Sequence, residues 1–247
     1  MKTVWLGWLG LVLLLAGCGS PQVATLGPTP EAIRVVYPPS LQPWADMLAS
    51  CATGFPQAAI YLLPTTTPTS NLLAGDIELE LGQPTQLDSA AHLFQVGWDQ
   101  VVVIVNPANK LSSLPSDQLL NIFSGQVSQW ENGTGKPIQV WVLPEGDPIR
   151  QIFDHNISLS VLASGAKLAP DLQAMRQAIS FDVNAIGYLP QSYIVTGNAD
   201  TVQNVKTIQL DHPTEDKLKA PVLAITTSEP TGIARQILVC LENSGAN

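Results

Sequence analysis

The chain has 247 residues, of which 45% are hydrophobic and 13% charged, with 20 acidic against 11 basic side chains and a net charge of −9. That balance excludes a disordered or fibrous chain and supplies enough apolar surface for a large core, as one domain or two lobes. It also excludes a nucleic-acid binder, because phosphate backbones must be met by clustered Lys and Arg.

Met1-Lys2 is a short positive start, Val4 to Leu15 is apolar, and Leu15-Ala16-Gly17-Cys18 brings small residues up to a cysteine. The run is too short and too early for a membrane-spanning helix and has the form of a signal h-region. The segment resembles a bacterial lipoprotein signal, which implies cleavage before Cys18 and a diacylglycerol on its sulfur. An uncleaved signal anchor and plain secretion are the alternatives. Residues 1–17 are thus expected to be a signal peptide and 18–32 a flexible tether, with Gly19 to Pro30 rich in glycine, proline and polar residues. Loss of Lys2 with the signal leaves ten basic against twenty acidic residues, a net of −10.

The first predicted elements are a strand at Ile33–Val36, a helix at Leu41–Ala52 with Ser40 as its N-cap, and a strand at Ala58–Leu63. Pro64 to Ser70 is a proline-threonine loop, followed by a short helix at Ser70–Ala74. A strand at Asp76–Leu81 comes next, with Glu78 and Glu80 expected on its solvent face. Gln95–Val105 is a long strand. Its Val101–Val105 part is a β-branched run suited to burial on both faces, and Asn106-Pro107 ends it. Leu114-Pro115-Ser116-Asp117 supplies a turn and a cap, Leu119, Leu120, Ile122 and Phe123 form a helical stripe, and Gly125 stops it. Then follow a strand at Ile138–Leu143, a helix at Pro148–Asn156, and a helix at Asp171–Ser180 with Leu172, Met175 and Ile179 on one face. A strand at Ala185–Tyr188, a strand at Ala220–Thr227 and a helix at Thr231–Glu242 close the chain. Such alternation predicts an α/β fold.

With Cys18 assigned to lipid, Cys51 and Cys240 remain, on the first and last predicted helices. In an oxidising compartment they form a disulfide or remain two buried thiols. A bond there would close a long loop and constrain the unfolded chain by on the order of 4 kcal/mol.

The spacing of Asn106-Pro107, Leu119, Ile122-Phe123, Gly125 and Trp130 resembles the phosphate-binding proteins of phosphate-specific ABC importers, in the periplasmic-binding-protein superfamily. Val183-Asn184-Ala185-Ile186-Gly187-Tyr188, and Pro230-Thr231-Gly232 with the helix to Leu241, resemble the same family, so the likeness runs from about Ile33 to Glu242. It implies a two-lobed type 2 fold, each lobe a mixed sheet flanked by helices, joined by two crossing strands. Lobe 1 would be residues 33–97 plus 200–247, and lobe 2 residues 98–199. It further implies a monomeric extracytoplasmic receptor that captures a small polar solute for an ABC permease, tethered to the membrane through lipid on Cys18, with no cofactor.

Carrying over the family's ligand loops singles out Ser40, Thr65, Thr66, Gly146, Asp147 and Arg150. In Tyr37-Pro38-Pro39-Ser40 prolines stand where the family has glycine and hydroxyl donors. In Leu143 to Arg150 the chain keeps Glu145, Gly146 and Arg150, but has Leu143 for an arginine, Asp147 for a serine, Pro148 for a glycine and Ile149 for a threonine. Asp147-Pro148 is a good helix start whose carboxylate would take an anion's place. Arg150 is placed either to grip an anion bidentately or to pair with Asp147 or Glu145. Phosphate is therefore expected to bind weakly or not at all. A scaffold lipoprotein that kept the fold and lost the pocket is the rival expectation. Enzyme function is not expected: His92, His155 and His212 sit in unrelated contexts without metal-ligand spacing, and no nucleophile motif is present.

Overall fold

The computed structural model describes residues 30–66, 72–84, 90–131, 135–196 and 204–245. The signal peptide, Cys18 and the tether up to residue 29 lie outside the described residues. No helix among those described is long and apolar enough to cross a membrane.

The chain begins with strand β1 (Glu31–Tyr37), a 3-10 turn at Pro39–Leu41 and helix α1 (Gln42–Ala52). Strands β2 (Ala58–Pro64), β3 (Ile77–Leu81) and β4 (His92–Val105) follow. Next come β5 (Ser113–Leu114), α2 (Ser116–Phe123), β6 (Gln139–Val142), α3 (Pro148–Asn156), β7 (Lys167–Leu168) and α4 (Leu172–Phe181). The remainder is β8 (Ala185–Pro190), α5 (Gln191–Thr196), β9 (Lys206–Thr207), β10 (Gln209–Leu210), α6 (His212–Lys217), β11 (Lys219–Thr226) and α7 (Gly232–Gly245).

The main sheet runs β2-β1-β3-β11-β4-β8-β6-β7, with β9 also on β4. β4 is the strand that joins its two halves. Its first part, His92 to Gln100, pairs antiparallel with β11, and its second, Val101 to Val105, pairs antiparallel with β8. The change of partner falls between Gln100 and Val101. Parallel pairs β1–β2 and β6–β8 flank this spine, giving each half the mixed sheet of an α/β fold.

The buried valine run predicted for β4 is seen: Val101, Val103, Ile104 and Val105 are no more than 1% exposed. α1 and α7 pack together over the first half, where Cys51 and Cys240 are joined by a disulfide with S–S 2.02 Å across 189 residues. In the second half Phe123, Phe153 and Tyr188 cluster, with Phe153 stacked on Tyr188 at 4.1 Å and Phe123 edge-on to Phe153 at 4.7 Å. This cluster fixes α2 and α3 against β8. Leu172, Met175 and Ile179 form the buried stripe of α4 as read from the sequence.

Several expectations are corrected. β1 starts at Glu31, inside the segment assigned to the tether. Of the helix expected at Ser70–Ala74, residues 70 and 71 lie outside the described residues, and Leu72–Ala74 are not helical. α2 has Pro115 at its N-cap with no side-chain cap, because Ser116 Oγ donates to Asp211 instead, at 3.1 Å. Glu78 and Glu80 are not a solvent face: Glu78 is 6% exposed and Glu80 half-buried. β3 lies between β1 and β11, which place Leu223 beside Glu80 and Ile225 beside Glu78. An interior strand has neighbours on both edges, so alternation in its sequence does not guarantee a wet face.

Candidate functional site

A narrow crevice of about 50 Å³ lies where the two halves meet. The first half contributes Pro38, Pro39 and Ser40 from the end of β1, and Thr66 from the loop after β2. The second half contributes Leu143–Pro148, leading into α3, and Pro170–Leu172, leading into α4. Four of the six expected ligand residues, Ser40, Thr66, Gly146 and Asp147, therefore line one cavity. Thr65 does not line it; its backbone N–H donates to Tyr37 O at 2.8 Å, extending the β1–β2 ladder.

Asp147 caps α3. Its carboxylate accepts from Ile149 N at 2.9 Å, and Pro148 occupies the first turn, which uses one of the amide donors that a helix N-terminus would offer an anion. Gly146 has φ +93, a left-handed conformation that glycine adopts without strain, and this lets the chain turn into the cap. Burial pushes the Asp147 carboxyl above its ordinary range, opposed by Ser40, by the Ile149 and Arg150 amides and by the Arg150 charge. Ser40 is 1% exposed; its Oγ makes no hydrogen bond of normal geometry, yet lies near enough to Asp147 to favour the charged carboxylate. It is not the cap of α1, whose N-cap is Leu41 without a side-chain bond.

Arg150 does not line the crevice. Its Nη1 donates to Leu143 O at 2.8 Å and its Nε to Asp154 at 3.2 Å, one turn along α3. Neither ion partner read from the sequence, Asp147 or Glu145, is the one it bonds. The guanidinium thus braces the loop's entry, and its charge acts on the lining Asp147 carboxylate without a direct bond to it. Leu143 N donates to the buried Tyr188 hydroxyl at 3.3 Å, tying the same loop to the aromatic cluster.

Sequence reasoning missed Asp171. It caps α4 by accepting from Ala174 N at 2.7 Å and lines the same crevice. The signal was present, since an aspartate opens the predicted helix at 171, but its approach to the α3 N-terminus is a tertiary fact. Two helix N-termini thus meet the crevice, and each is occupied by its own carboxylate. With Glu145 the described part of the wall carries three acidic side chains and no Lys or Arg, and five of its thirteen described residues are proline, which has no N–H. This chemistry disfavours an anion.

The sequence profile of the PBP superfamily domain matches residues 80–243. No curated protein matches the sequence significantly. Among solved structures, a protein described as a phosphate ABC transporter substrate-binding protein from Clostridium perfringens, with bound phosphate, aligns with a TM-score of 0.68. It is 16% identical, over 85% of this chain and 92% of that one. An ABC-type phosphate transport receptor from Vibrio cholerae gives 0.60 at 20% identity, over 85% and 93%. The regulatory domain of Synechocystis CcmR in complex with 2-PG gives 0.59 at 15%, over 87% and 98%. These likenesses establish a shared fold, which importer receptors and regulatory domains both use.

Proposed function

Because the chain belongs to the PBP superfamily, we propose that it is an extracytoplasmic solute-binding lipoprotein of an ABC-type importer, anchored through Cys18, whose crevice has been rebuilt so that phosphate is not its ligand. The importer reading is supported by the fold shared with two phosphate-transport receptors. The exclusion of phosphate rests on one observation: both helix N-termini at the crevice are capped by aspartates, Asp147 and Asp171, with no cation among its described lining residues. An incoming phosphate would compete with two carboxylates already holding the amides it needs, and like charges in a partly desolvated cleft repel strongly. The lobes read from the sequence, 33–97 plus 200–247 and 98–199, carry into this reading with the return to lobe 1 moved. The pairing of β9 with Ile104–Val105 and of β10 with β5 supports a return to lobe 1 after Leu210, later than residue 200.

A scaffold without a solute is the second reading, favoured by the small, proline-walled crevice. Calorimetric titration of the full-length protein with phosphate, small amines and neutral polar solutes separates the two. No heat with phosphate at millimolar levels is expected; sub-micromolar phosphate binding would overturn the exclusion. Binding of a non-anionic solute that weakens in Asp147→Ala supports the receptor, and silence across the panel supports the scaffold.

A further inference from the structure

A cavity of about 490 Å³, larger than the crevice, lies at the opposite end of the second half-sheet. It is bounded by the turn after β4, by α2, by the loop running to Glu131 and by Val183-Asn184 just before β8. The register fixes its place: Gln139 and Ala185 pair at the start of β6 and β8, whereas the crevice lies beyond the other end of β6, at Leu143. Its size falls within the range of small-molecule sites, and the crevice's does not.

Its lining holds apolar, charged and amide side chains, the last being Asn109, Gln118, Gln129 and Asn184. Leu111, Leu114, Ile122 and Trp130 give an apolar floor, with Leu114 and Ile122 part of the buried core. Lys110 and Glu131 stand on the wall, both exposed, and among the described residues neither forms an ion pair or a side-chain hydrogen bond. One cation and one anion among its described lining residues, the rest apolar or uncharged amides, leave the cavity neutral in a chain of net charge −9.

We propose that this cavity is a second ligand site, independent of the crevice, for a free α-amino acid with an apolar side chain. The ligand's carboxylate meets Lys110, its ammonium meets Glu131, and its side chain covers the floor beside Trp130. A neutral apolar ligand leaves both charges unused, and a simple anion leaves Glu131 opposing it. A zwitterion with an apolar body uses all three features, and charge-assisted hydrogen bonds are stronger than neutral ones.

The test uses the full-length protein and titration calorimetry with L-leucine, L-phenylalanine and L-tryptophan, against glycine and the N-acetyl amides of the same three. The expected result is binding of at least one apolar amino acid and loss of binding in its capped form and in glycine. Lys110→Gln and Glu131→Gln, both at exposed positions, are each expected to weaken it by about tenfold or more. Asp147→Ala at the crevice is expected to leave it unchanged. No binding by any of the three, equal binding of the capped forms, or indifference to both wall substitutions would overturn the proposal.

Discussion

Glu80 carries the clearest pH dependence in the molecule. Burial, with Glu78 adding charge repulsion, raises its carboxyl to about 7. A carboxyl that is easier to protonate folded than unfolded destabilises the fold as it ionises, so stability is lost as pH rises from the ordinary glutamate range through about 7. Asp147 and Asp154, also raised by burial, act in the same direction. Glu80→Gln is therefore expected to stabilise the protein near pH 8 by on the order of 1–2 kcal/mol, after allowance for its partial exposure, and to change little near pH 5. Urea unfolding at the two pH values measures this, and equal effects at both would refute it. At the crevice, the Asp147-Pro148 start was legible because capping is local and needs only adjacent residues. Arg150 was not, because its partners are the Leu143 carbonyl and Asp154, and the choice depends on which way the side chain packs. If Arg150 braces the loop, Arg150→Met should lower the melting temperature while leaving solute binding at the crevice weakened only indirectly. If it contacted solute, binding would fall with no change in melting temperature.

Elements were legible wherever a segment's own pattern decides its state. Pro148–Asn156 and the stripe of α4 follow from cap and periodicity, and the β4 valine run from composition. The misread elements depend on neighbours in space: β3 becomes buried because β1 and β11 flank it, and α2 goes without a side-chain cap because Ser116 finds Asp211. The link between α1 and α7 is of the same long-range kind; the two remaining cysteines left a disulfide or two buried thiols open, and the structure forms the bond. Closing a loop that spans 189 residues removes much of the unfolded chain's freedom, so Cys51→Ser with Cys240→Ser is expected to cost about 5 kcal/mol on the entropic account. Reduction of the wild-type protein should lower its melting temperature likewise and leave the double variant unaffected. Where α1 crosses the spine, Trp44 fits against Gly97 of β4 and Gly245 of α7 so closely that a methyl at either glycine would overlap the indole. That packing seats the first helix on the strand that both halves share.

At the scale of the whole molecule the same strand governs how the halves can move. Asp99, one residue before β4 begins its exchange of partners, is 4% exposed and accepts from four donors. Trp44 Nε1 reaches it at 2.7 Å from α1, Ser192 Oγ at 2.6 Å and Ser192 N at 3.1 Å from the start of α5, and Gln100 N at 2.8 Å from β4 itself. A helix of the first half and a helix following β8 of the second are therefore tied to one carboxylate at the crossing. A ligand shifts such a pair of halves only by its differential affinity for the closed form. On the proposed reading, phosphate meets two capped helix ends and no cation among the described residues of the crevice, and so supplies none. Small-angle scattering curves with and without millimolar phosphate are expected to superpose. Asp99→Ala leaves the Trp44 and Ser192 donors buried without their acceptor, a loss of about 3 kcal/mol for a charged hydrogen-bond centre. It should also speed amide exchange in α5 before exchange in the β4–β11 ladder. Uniform acceleration across the sheet would mean that Asp99 merely stabilises the fold, whereas exchange confined to α5 and a larger radius of gyration would identify it as the pin that holds the two halves at their present angle.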